Sequence, residues 1–73
     1  MHDQAETPVG RARRKIAEGV ARVERQRAII LELASSGHDV TAARRLLDVM
    51  MQSLRGMRVE LTRLETEQGL RRA

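Results

Sequence analysis

Between Val40 and Gln68 the chain reads VTAARRLLDVMMQSLRGMRVELTRLETEQ. Val40, Ala43, Leu47, Met50, Leu54, Met57, Leu61, Leu64 and Gln68 recur there at alternating intervals of three and four residues, without a slip over eight intervals. On a helix such positions fall on one stripe, so the spacing predicts a helix that packs along its whole length against another helix. How the chain folds is therefore far more legible than what it does.

The residues before this stretch supply a partner helix. Ser35-Ser36-Gly37-His38-Asp39 is a break: Gly37 can take the left-handed conformation that ends a helix, and Asp39 can cap the next one. Thr7-Pro8 marks the start of the first helix, Thr7 as N-cap and Pro8 at the position where a missing N–H costs nothing. From there Val9, Ile16, Val20, Val23, Ile30 and Ala34 keep the same rhythm, with Arg13 and Arg27 occupying two positions of the seam. Ala12, Gly19, Gln26 and Leu33, seven apart, flank it as a mostly small ridge that lets a neighbouring helix approach closely. The short connection makes the two helices antiparallel neighbours. Residues 8–36 and 40–68 then pair as helices of equal length, about 43 Å each at 1.5 Å per residue. Gly69 reads as a second stop signal with Leu70 folding back, leaving residues 71–73 as a basic tail, and residues 1–6 as a disordered one.

Composition agrees with an all-α fold. The 73 residues are 41% hydrophobic with no aromatics, the mixture of aliphatic-cored helices rather than of sheets. A chain this short seldom stabilises a core unaided, and with no cysteine it has neither disulfides nor thiolate metal sites. The remaining source of stability is association. Apolar residues off the seam, Ile29, Leu31 and Leu33 on the first helix and Leu46, Val49 and Met51 on the second, provide a secondary interface for it. The expected architecture is an antiparallel two-helix hairpin that dimerises into a four-helix bundle. The association seam comprises Ile16, Val20, Val23, Ile30, Leu47, Met50, Leu54, Met57, Leu61 and Leu64. The opening residues carry no signal-peptide pattern, and the longest apolar run, Ala28 to Leu31, is too short to span a membrane, so a soluble cytoplasmic protein is expected.

The net charge of +4 is unevenly placed. Residues 10–27 hold seven cations against Glu18 and Glu24, and Arg11, Arg14, Lys15, Arg22 and Arg25 fall on one face, a candidate polyanion contact. The simpler reading is a solvated face relieved by Glu18 between Arg14 and Arg22. With no aromatic to stack a base, single-strand binding is disfavoured. An amphipathic helix lying on an anionic membrane is a third reading, weakened by the lack of Trp or Phe anchors.

Other residue groups carry a functional and a plain reading side by side. Arg27, with Gln26 beside it and Asp48 as a candidate partner, reads as a polar lock on register or as an arginine whose head reaches water. Met50, Met51 and Met57 around Leu54 read as an adaptable groove or as ordinary core. His38-Asp39 has no nucleophile or second carboxylate placed to join it, and Asp39 is accounted for as a cap. No catalytic, metal or cofactor site is expected, and no cofactor.

Val23-x-x-Gln26-Arg27-x-x-Ile30-x-x-Leu33, Gly37-His38-Asp39, Ala43-x-x-Leu46-Leu47 and Leu54 together resemble a set of short uncharacterised bacterial proteins, over about residues 16–61. The resemblance implies the hairpin and no activity. In architecture alone the chain is similar to the Rop-type RNA-binding hairpin, which dimerises into a four-helix bundle; no Rop sequence motif is matched. The function expected is a non-enzymatic interaction or regulatory module acting through self-association and a protein partner. The alternative is a small basic dimer that binds RNA or DNA through the Arg-rich face of the first helix.

Overall fold

The computed structural model describes residues 6–72, with side chains as far as Leu70. Most of the expected N-terminal tail, residues 1–5, lies outside the described residues, as does Ala73. The described chain is two helices and a turn: α1 spans Pro8–Ser35 and α2 spans Thr41–Arg72. The Thr7 side chain accepts from the Gly10 N–H at 2.9 Å, with Pro8 in the first turn, and so satisfies a donor that has no helical partner.

The end of α1 is a glycine cap. Gly37 has φ +78°, and its N–H donates to the Ala34 carbonyl at 3.0 Å while the His38 N–H donates to Leu33 at 2.9 Å. This paired bonding closes the last turn and redirects the chain. Asp39 Oδ1 then accepts from the backbone N–H of Thr41 at 2.9 Å and from its hydroxyl at 2.7 Å. Thr41 is the first residue of α2, one later than the spacing predicts, because Asp39 holds the Thr41 N–H and Val40 provides the first helical carbonyl, to Arg44.

All nine residues of the Val40–Gln68 stripe are buried or half-buried, Leu54 most of all at 7% exposed. On α1 the seam departs from expectation. Val9, Ile16, Val23 and Ile30 face α2 together with Ala12, Gly19, Gln26 and Leu33, the ridge read as flanking. Arg13, Arg27 and Ala34 are exposed, and Val20 is half-buried at the margin. The helix is rolled toward its small residues. That roll brings the backbones close and carries two guanidinium groups to water, where their charge costs far less. The approach is close at Gly19: a Cβ there would lie 3.2 Å from Leu54 Cδ1 and 3.6 Å from Met57 Sδ.

The expected stop at Gly69 is not taken. α2 continues through Gly69 and Leu70 to Arg72, and Gly37 is the only glycine with positive φ among the described residues. A glycine cap gains from an apolar contact behind it, and Leu70, 72% exposed, has none. Continuing the helical hydrogen bonds is then favoured. The helices thus differ in length, 28 and 32 residues, and residues 71 and 72, expected in a basic tail, belong to α2.

The two glycines should respond oppositely to alanine. Gly37→Ala forces a side chain into the left-handed region and should destabilise by about 1–2 kcal/mol, whereas Gly69→Ala removes a flexible residue from a helix and should stabilise by up to about 1 kcal/mol. Thermal unfolding followed by circular dichroism at one fixed concentration reads both. A loss of stability with Gly69→Ala would restore the capped end at Gln68.

Candidate interaction surface

Two antiparallel helices enclose one seam and present two broad faces, and the inter-helix contacts tell those faces apart. Along one edge Arg13 Nη2 donates to Glu65 Oε2 at 3.0 Å, and Arg27 Nη2 reaches Met51 Sδ at 3.6 Å. Nearer the turn the same edge gathers Arg27, Leu31, Arg44 and Asp48 around a shallow hollow. This is the Arg27 face. Along the other edge Arg22, Val49 and Ser53 line a hollow whose floor is Gly19, Leu54 and Met57. Ile29 lies two helical turns from Arg22, and Leu46 two turns from Ser53, which puts both on this Arg22 face.

The six residues expected to form a secondary interface therefore do not share one surface. Ile29, Leu46 and Val49 are 39%, 51% and 60% exposed on the Arg22 face. Leu31, 69% exposed, and half-buried Met51 belong to the Arg27 face, while Leu33 turns into the seam. Apolarity alone does not group Ile29 with Leu46; the edge of the seam that each occupies does.

The candidate polar lock is Gln26, not Arg27. Gln26 is 8% exposed, the one buried polar side chain among the described residues, and its Nε2 donates to the Ala43 carbonyl at 2.9 Å. This bond ties the last turns of α1 to the first turn of α2 at one register. Arg27 and Asp48 line the same hollow without pairing, and exposed Arg27 reaches Met51 instead. The sequence marks Arg27 by its charge, with Gln26 beside it, and equally allows an arginine whose head reaches water.

The basic stripe is exposed and partly neutralised. Arg14 donates to Glu6 from Nε and Nη2, at 3.1 and 3.0 Å, and to Glu18 at 3.2 Å. Glu18 also stands 3.9 Å from Arg22. The Arg14 hydrogen bonds hold the Glu6 carboxyl below the usual carboxylate range and raise the arginine further. Glu6, which its sequence context places in the N-terminal tail, is the main partner of Arg14. Arg11, Lys15 and Arg25 are exposed. On α2, Arg63 binds Glu60 and Glu67, depressing the Glu60 pKa.

The remaining candidate groups are structural in their contacts. Asp39 has its pKa lowered by the two Thr41 hydrogen bonds, as a capping carboxylate should. His38 is exposed beside it. Met50 and Met57 are half-buried in the seam, and a Cβ on Gly19 would sit 3.6 Å from Met57 Sδ, so α1 occupies the groove they could have formed. No group of three or more His, Cys, Asp or Glu converges among the described residues, and no helix there is long and apolar enough to cross a membrane. Comparison with protein-family models, with curated proteins and with solved structures finds no match for this chain.

Gln26→Leu tests the lock. The Ala43 carbonyl lies inside α2 and keeps its helical partner, so the substitution leaves no orphan group and adds apolar burial. The unfolding midpoint should hold or rise while the mass distribution broadens, since one buried amide no longer selects a register. A single sharp species with a lowered midpoint would instead mean that the bond contributes stability and leaves register to the apolar contacts. Arg27→Leu should leave the mass distribution unchanged.

Proposed function

We propose that this chain is a non-enzymatic association module, a helical hairpin that completes its core by pairing with a second copy into a four-helix bundle and presents that bundle to a protein partner in the cytoplasm. One observation carries the reading. The hairpin is a single layer, 12 Å in its thinnest dimension, about one helix diameter. Domains bury their cores between two layers. Here Val9, Val23, Ile30 and Leu54 are the only buried apolar side chains among the described residues, while Ile29, Leu46 and Val49 remain exposed together on one face of the turn half. A second hairpin laid on the first supplies the missing layer.

The basic stripe supports the alternative, a dimeric protein that binds RNA or DNA through α1. Glu6 and Glu18 weigh against it, since they already neutralise part of the charge on Arg14 and Arg22. Phosphate binding would also have to weaken steeply with salt.

Light scattering should return twice the 8.3 kDa chain mass, and labelled duplex RNA or DNA should show no salt-sensitive binding at concentrations where the dimer forms. A monomeric mass with intact helicity would contradict the association reading. Binding that falls steeply as salt rises and disappears when Arg11, Arg22 and Arg25 are neutralised would favour the alternative.

A further inference from the structure

We infer that the second copy docks on the Arg22 face, with the two turns at the same end of the bundle, so that α1 of each protomer lies over α2 of the other. The inference rests on the proposed self-association and adds its face and its topology.

The face follows from where exposed apolar surface collects. Ile29, Leu46 and Val49 cluster on the turn half of the Arg22 face, beside the hollow over Gly19. The Arg27 face offers Leu31 as its exposed large aliphatic, set among Arg27, Arg44 and Asp48. Covering that face would bury Arg27 and Arg44 around a single exposed aliphatic, whereas the Arg22 face sets three aliphatics beside the one arginine that lines its hollow.

The topology follows from charge. On the Arg22 face the α1 strip carries Arg11, Lys15, Arg22 and Arg25 against Glu18 and Glu32, a net of +2. The α2 strip carries Glu60 and Glu67 against Arg63, a net of −1. Two-fold symmetry allows two ways of laying this face on its copy. With the turns together, each basic α1 strip meets the acidic α2 strip of its partner, and the apolar clusters meet each other. Ile29 then faces the level of Leu46, and Lys15 the level of Glu60, because Gly19 is already level with Leu54 and Met57. With the turns opposed, α1 lies on α1 and the two basic strips repel. The same arrangement puts Ile29, Leu46 and Val49 over the charged ends that hold Lys15, Glu60 and Arg63. Only the first arrangement satisfies both the apolar and the charged halves, and an isologous interface pairs each contact twice.

The chain contains no cysteine, so Ser36→Cys places a single nitroxide label at the exposed turn. Pulsed dipolar spectroscopy, on a sample whose mass is measured by light scattering, should give an inter-label distance below about 30 Å; opposed turns would lie a helix length apart, about 40 Å or more. Val49→Glu, on the docking face, should weaken dimerisation roughly tenfold or more by burying a carboxylate, whereas Leu31→Glu, on the other face, should leave the dimer constant unchanged. The distance is read on a chain with the docking face intact, so the test does not depend on Val49→Glu folding. A dimer with the long distance overturns the topology and leaves self-association standing. A dimer disrupted by Leu31→Glu overturns the choice of face. A monomer overturns both this inference and the function on which it rests.

Discussion

A helix of some thirty residues with apolar side chains at every third and fourth position has nowhere to put them in water, and here the partner comes from the same chain because Gly37 adopts a left-handed turn with φ +78°. Everything else is arranged around that return. The cap bonds from Gly37 and His38 close α1, the Asp39 carboxylate opens α2, and the seam zips away from the turn toward Val9 and Gln68. At its close approach Gly19 faces Leu54, and an added Cβ would lie 3.2 Å from Leu54 Cδ1 and require that side chain to give by a few tenths of an ångström. An alanine there would gain helix propensity and lose this fit, two effects of similar size and opposite sign.

The hairpin solves half of its own burial problem. One layer can hide one stripe per helix, and both helices carry more apolar surface than that near the turn: Ile29 on α1, and Leu46 and Val49 on α2. Toward the open end the same face changes character, basic on α1 and acidic on α2. Exposed apolar surface thus sits beside charge of opposite sign on the two helices, the combination on which the proposed assembly rests. Inside the hairpin the buried amide of Gln26 bonds the Ala43 carbonyl and so joins α1 to α2 across a mostly aliphatic seam.

The all-α hairpin was legible in the sequence because its signals are strong and local. The Val40–Gln68 rhythm, Thr7-Pro8 and Gly37 each have a single structural meaning in their context, and each stands where it was read. What failed were choices between neighbouring alternatives. The large aliphatics Ile16, Val20 and Val23 place Arg13 and Arg27 on the seam, whereas the helix is rolled toward the small Ala12 and Gly19 and the bonded amide of Gln26. Gly69 looked like a stop because glycine after a helix usually is one, but Leu70 found no surface to fold onto and the helix ran on. The division of Ile29, Leu46 and Val49 from Leu31 and Met51 depends on which edge of the seam each occupies, a three-dimensional fact that a one-residue roll would reverse.

The central claim is that the hairpin is one half of a folded unit, so that folding and association are a single event. Thermal unfolding followed by circular dichroism over a hundredfold range of protein concentration tests it most directly. Coupled folding and dimerisation require the midpoint to rise with concentration, by mass action. A cooperative transition whose midpoint stays constant across that range would show a hairpin stable on its own and would contradict the account.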